Sequence, residues 1–262
     1  MGLVAVRGFD VHVSGVGTAL DGFRIAHLSD LHFRRWNPVL EEARELLGTL
    51  EYDALAVTGD FAEWPHRWPR AVEMMKRFFE PAYARGTVYA TLGNHDHERI
   101  ADDRGDPIRF LRDESVVLEH GAGRVRLAGV DQLVKRGGDV HRALGPADDL
   151  PTVLLAHYPS TAHRLEPDRV GLQLSGHTHG GQWRFPGIGC LWGNDRIHPR
   201  QAWGLHRIRW TQVHVSAGIG TSLPIHARIN CPPEVTVLTL RTRAPAVRSG
   251  GAVIGTERGT ED

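Results

Sequence analysis

The chain is poor in cysteine and lysine, carries no net charge, and has no apolar run long enough to cross a membrane. Its two cysteines, Cys190 and Cys231, stand far apart with no metal-type Cys partner nearby, so they are either free thiols or one disulfide. Lys76 and Lys135 are the only lysines. The remaining basic residues are Arg, whose rigid fork suits phosphate oxygens, although a genome-wide base bias explains the same excess. With 31 basic and 31 acidic residues, no global field draws the protein to nucleic acid or an anionic membrane. A nuclease reading is further weakened by the lack of a basic run or an evident second DNA-binding domain. Local Arg patches and peripheral membrane contact stay open. Met1 to Val13 shows neither a signal-peptide pattern nor a transmembrane span, so a cytoplasmic protein is expected.

What is present is an ordinary globular composition, 41% apolar over 262 residues, enough for a sizeable core. Phe23 to Leu28 and Asp53 to Val57 read as buried strands. Between them, Pro38 to Leu50 has a helical apolar period, with Asn37 as N-cap and Pro38 at N1. A second helix over Arg67 to Tyr83 and a third strand over Thr87 to Leu92 complete a βαβαβ pattern of parallel strands. The second half turns β-rich, at Ser115 to Leu118, Arg124 to Val130, Thr152 to Ala156, Val170 to Leu174, Val213 to Ser216 and Val235 to Leu240. These segments predict a second sheet packed on the first: an α/β protein, an αββα sandwich of two mixed β-sheets flanked by helices. Residues 1–243 are expected to form a single domain, and 244–262 a disordered tail.

Ligand-type residues follow five of the apolar runs: Asp30 and His32, Gly59-Asp60, Gly93-Asn94-His95-Asp96, His157, and Gly176-His177-Thr178-His179. Each has a bland reading by itself, as a strand-end turn, a hairpin turn or an interior histidine. Together they offer carboxylates, an amide oxygen and imidazoles at one edge of a sheet, the donors that a pair of divalent ions needs. In extended backbone, the i and i+2 spacing of Asp30 and His32 points both to one side. Asp96 is expected to support its loop through local hydrogen bonds, and His97 to be a solvated loop residue.

In this order the blocks D-x-H, G-D, G-N-H-D, H and G-H-x-H resemble those of the calcineurin-like metallophosphoesterases, over Gly22 to Leu240. The wording His27-Leu-Ser-Asp-Leu-His32 and Ser175-Gly-His-Thr-His-Gly-Gly-Gln182 is similar to a bacterial subgroup containing membrane-associated phosphodiesterases, whose members often begin with a signal or transmembrane segment not seen here. The resemblance implies a metallo-dependent phosphatase-like fold. It also implies a first metal on Asp30, His32, Asp60 and His179, and a second on Asn94, His157 and His177, with Asp60 bridging. A bridging hydroxide would then attack phosphorus in line. His95 would protonate or polarise the leaving oxygen, oriented by Glu63 three positions after Asp60. Several relatives place Arg after that acid, where this chain has Trp64. Mixed N/O donors suit manganese first, with iron or zinc as alternatives.

The expected substrate is a small-molecule phosphodiester or pyrophosphate, with a nucleotide-linked lipid precursor as one candidate. Alternatives are a phosphomonoesterase using the same site and a non-catalytic metal-binding scaffold. The seven tryptophans fall in two groups, Trp36, Trp64 and Trp68, then Trp183, Trp192, Trp203 and Trp210. They read either as an aromatic rim around the metals or as filling beneath long loops such as Gly180 to Gly204.

Overall fold

The computed structural model describes residues 2–102, 105–133, 138–185, 187, 189–190, 193–222 and 226–242. The expected tail 244–262 and Trp192 lie outside them. Five strands lead, β1 (Ala5–His12), β2 (Arg24–Leu28), β3 (Ala54–Thr58), β4 (Val88–Thr91) and β5 (Ile108–Phe110). The helices α1 (Pro38–Thr49) and α2 (Trp68–Tyr83) lie among them. Next come β6 (Glu114–His120), β7 (Gly123–Gly129), helix α3 (Val140–Leu144), β8 (Thr152–Leu155) and β9 (Leu172–Ser175). A two-residue ribbon, β10 (Arg184–Phe185) and β11 (Gly189–Cys190), precedes β12 (Gly204–Ile208), β13 (Thr211–Val215) and β14 (Glu234–Arg241).

The first sheet has the order β1-β14-β2-β3-β4-β5 and the second β12-β13-β9-β8-β7-β6. Parallel pairing runs through β2-β3-β4-β5 and through β13-β9-β8-β7, with antiparallel partners at β14-β2, β12-β13 and β6-β7. Apolar side chains from both sheets, among them Ile25, Ala56, Leu238, Leu127, Leu155 and Leu174, form one buried layer between them. A second cluster joins the outer face of the first sheet to α1 and α2 through Leu40, Leu47, Met75 and Phe78. A third covers the other sheet with α3. The layer order is therefore helix, sheet, sheet, helix.

Local chemistry accounts for the helices. Asn37 accepts from the Leu40 amide at 3.0 Å, capping α1 in front of Pro38. Pro81 inside α2 has no N–H to offer the carbonyl of Arg77. Arg44 of α1 donates its Nε there instead, at 3.0 Å, so the defect becomes a tie between the two helices.

One strand expectation is overturned. Val235–Leu240 does not enter the second sheet: β14 lies in the first, parallel to β1 and antiparallel to β2. Its partner β1 was not foreseen. As an edge strand it exposes alternate residues, and its Arg7 and Asp10 obscure the apolar period. Both cysteines are buried free thiols, so there is no disulfide between them. Among the described residues, no helix is long and apolar enough to cross a membrane.

Candidate metal centre

The ligand-type residues meet where the C-terminal ends of parallel strands in the two sheets come together, the edge at which open α/β sheets place their sites. β2 delivers Asp30 and His32, β3 delivers Asp60, and β4 leads to Asn94 and His95. From the other sheet, β8 leads to His157, and β9 to His177 and His179. Main-chain bonds fix the loops to one another: Asp30 N to Gly59 O at 3.0 Å, His32 N to Asp60 O at 2.9 Å, and Gly220 N to Asp30 O at 2.7 Å.

Side-chain direction here does not come from extended backbone, as the spacing of Asp30 and His32 suggests. Asp30, His32, Asp60, His177 and His179 all have positive φ, between 41° and 68°. Non-glycine residues adopt this region at a cost, and such strain clusters at functional sites. The left-handed turns aim these side chains inward, and the loops approach so closely that a side chain on Gly93 would overlap the Asp60 carboxylate.

Two triads of ligand atoms result, Asp30, His32 and His179 in one, Asp60, His157 and His177 in the other, the atoms within each lying within 4.8 Å of one another. Asp60 Oδ2 stands between them, 3.6 Å from His32 Nε2 and 3.3 Å from His157 Nε2. His32 and His179 face each other through Nε2 at 3.1 Å, and His179 Nε2 is 3.5 Å from Asp30 Oδ1. Asn94 Oδ1 is 3.0 Å from His157 Nε2.

The donor set fits bound cations. His157 Nδ1 donates to the Thr58 carbonyl at 2.8 Å, leaving its Nε2 lone pair facing two oxygens, Asn94 Oδ1 and Asp60 Oδ2. Without metal only a proton on Nε2 reconciles these atoms. Burial opposes that charge, but Asp60 outweighs it and raises the His157 pKa to about 10. A cation at the same place would do the proton's work. His177 Nε2 donates to the Asn194 carbonyl at 2.7 Å, leaving Nδ1 free to ligate. Burial lowers the pKa of His32 to about 4, partly offset by Asp60, and lowers that of His179 well below the usual value. Both imidazoles are therefore held neutral, as metal ligation requires.

Around the triads, Asp96 accepts from the amides of Asp60, Ala62 and Gly93 at 2.8–2.9 Å and so ties two strand ends together. His97 caps a short turn by accepting from Arg99 N at 3.1 Å. His95 packs edge-on to His32, with ring centres 5.1 Å apart, and its Nδ1 donates to the main-chain carbonyl of Glu63 at 2.8 Å. The resemblance implied an acid orienting this histidine. The carboxylate of Glu63 instead turns toward Arg34 and His226, at 3.8 and 3.7 Å.

Arg228 gave no signal in the sequence. It is half-buried and donates to the carbonyls of Ala217, Gly218 and Gly220, bracing the loop that closes over Asp30. The tryptophans divide: Trp64 packs 5.6 Å from His95 and Trp68 6.0 Å from His97. Trp36 lies beneath Arg77, and Trp203 contacts Arg7 and Arg184 while donating to Glu234.

A layered α/β sandwich with ligand-type side chains gathered at its strand ends has the build of a metal-dependent hydrolase. Residues 23–181 match the calcineurin-like phosphoesterases, and the chain belongs to that family of phosphoric ester hydrolases. It is 29% identical to the uncharacterized metallophosphoesterase YkuE of Bacillus subtilis, over 85% of this chain and 80% of that protein. It is 26% identical to the phosphodiesterase YaeI of Escherichia coli, over 83% of this chain and 82% of that one. Among solved structures, a 5'-nucleotidase precursor from Thermus thermophilus aligns with a TM-score of 0.49 at 14% identity, over 75% of this chain and 49% of the other. This chain thus spans about half the length of that nucleotidase.

Proposed function

We propose that residues 1–243 form one phosphodiesterase unit that cleaves a small-molecule phosphodiester or pyrophosphate bond at two divalent ions. Asp30, His32, Asp60 and His179 would hold one ion, and Asn94, His157 and His177 the other, with Asp60 shared. Manganese is the first candidate, then iron or zinc. The observation carrying this reading is the junction at Asp60, where two triads of donors from opposite sheets meet around one carboxylate. The diester preference is supported by the relative named a phosphodiesterase.

Bound divalent ions supply Lewis-acid charge to phosphoryl oxygens and lower the pKa of water. The residues supply position and proton traffic. His95, whose Nδ1–H is held by the Glu63 carbonyl, keeps Nε2 free to hold a proton for the leaving oxygen. Asp60 lies within 3.6 Å of an imidazole from each sheet, His32 and His157, and Asp96 keeps the loops bearing Asp60 and Asn94 in register.

The test is to count metals per chain in protein purified without chelator and to assay bis(p-nitrophenyl) phosphate against p-nitrophenyl phosphate with manganese. Near two ions with diester cleavage is expected. Monoester preference would redirect the reading to a phosphatase, and neither metal nor turnover would leave a scaffold. For His95→Asn, metal occupancy should persist while kcat falls about 100-fold or more. Undiminished kcat would remove His95 from the proton step.

A further inference from the structure

Beside His95 the surface opens into a cavity of about 310 Å³, lined by Arg34, Glu63, Trp64, Arg67, Arg70 and His226. Its connection to the metal centre runs through His95. The main chain of Glu63 holds His95, and the Trp64 ring lies 5.6 Å from the His95 ring. Three features of its lining point to a ligand. The first is charge: the Arg67 and Arg70 guanidinium groups make no hydrogen bond or ion pair among the described residues, and Arg34 is only loosely placed, 3.8 Å from Glu63. Arg67 and Arg70 also stand at the start of the 16-residue helix α2, whose first turn has no acidic residue. Cations at the positive end of a helix dipole are unfavourable unless an anion joins them.

The second feature is Glu63 Oε2, which is buried and has no hydrogen-bond partner among the described residues. A buried carboxylate oxygen calls for a donor. The third is Trp64, 40% exposed, a flat apolar wall in a polar pocket.

From these we infer that the cavity is the subsite for the leaving portion of the substrate, and that this portion carries a second phosphate with hydroxyl groups nearby: a phosphorylated sugar or polyol. The phosphate meets Arg34, Arg67 and Arg70, a hydroxyl donates to the Glu63 carboxylate, and the carbon skeleton lies on Trp64. An anion alone would leave Glu63 unanswered, and a cation would be repelled by three guanidinium groups. The inference rests on the phosphodiesterase reading, because two residues of the cavity wall, Glu63 and Trp64, are the ones that hold and pack against His95.

The test compares wild type with Arg67→Ala/Arg70→Ala in the metal-loaded protein, using inhibition of bis(p-nitrophenyl) phosphate hydrolysis by glucose 6-phosphate and by inorganic phosphate. Both substitutions are at exposed positions. Each inhibition constant is referred to that protein's own kcat/KM for this diester, whose nitrophenolate leaving group brings no second anion. Inhibition by glucose 6-phosphate should weaken at least tenfold and inhibition by inorganic phosphate should not. Equal loss for both inhibitors, or loss for neither, would overturn the subsite. If wild type cleaves no diester at all, the reading of the enzyme fails separately. Titration calorimetry with glucose 6-phosphate then decides the cavity: weaker binding by the variant supports it, and equal or absent binding to both proteins overturns it.

Discussion

Asp96 sits at the end of β4 without joining either triad, yet three main-chain N–H groups depend on it, those of Asp60, Ala62 and Gly93. All of these bonds are buried. Truncation would strand donors in a site closed to water, each worth about 1–3 kcal/mol when left unmade. Asp96→Ala should therefore lower the unfolding free energy by about 3 kcal/mol in urea titration. It should also weaken manganese binding about 10- to 100-fold, the usual scale for groups that hold ligands in place. Wild-type metal affinity in this variant would show that the two loops hold their register without it. Asp96 as a loop support was legible because Asp in a strand-end Gly-Asn-His-Asp turn tends to bond neighbouring amides. Its reach to Asp60 and Ala62 was not, since those amides belong to a different strand end 36 and 34 residues away.

Elements show the same division between local and distant causes. Helix α1 was legible to within a residue because its cap, first proline and apolar period all lie within its own sequence. The placement of β14 was not, because its pairing with β1 spans the length of the chain and its alternation suits either sheet. Between β2 and β13 the sandwich also buries a histidine pair that no motif announced. His27 Nδ1 lies 2.9 Å from His214 Nδ1, and His27 Nε2 lies 2.8 Å from Thr58 Oγ1. Burial lowers both pKa values, that of His214 to about 3. The unfolded chain, with histidines near 6.5, thus takes up protons first as pH falls. The stability this pair contributes is complete above about pH 6.5 and is lost progressively toward pH 3, at about 1.4 kcal/mol per pH unit for each histidine. With chelator present in both samples, the drop in unfolding free energy from pH 6 to pH 4 should be about 2 kcal/mol smaller for His214→Leu than for wild type. Equal drops would mean that His214 is protonated in the folded state.

For the whole molecule, the position of the donors matters more than their number. Asp30, Asp60 and Asn94 follow strands of one sheet, and His157, His177 and His179 follow strands of the other, so each triad draws on both halves of the sandwich. Asp60 Oδ2 and His157 Nε2 approach to 3.3 Å across this edge, and His32 and His179 face each other through Nε2 at 3.1 Å. Cations bound here would tie the two sheets together at this edge. Binding to the folded state alone adds RT ln(1 + [M]/Kd), about 2.7 kcal/mol at a hundredfold excess over Kd. The melting temperature should rise linearly with the logarithm of free manganese above Kd, and chelator should return it to the baseline. In Asp60→Asn the carboxylate that stands between the two triads is lost, so the manganese concentration at which that rise begins should increase at least tenfold. A variant whose rise begins at the wild-type manganese concentration would place the ions elsewhere, whereas a wild-type melting temperature indifferent to manganese would mean that metal does not bind the folded chain in preference to the unfolded one.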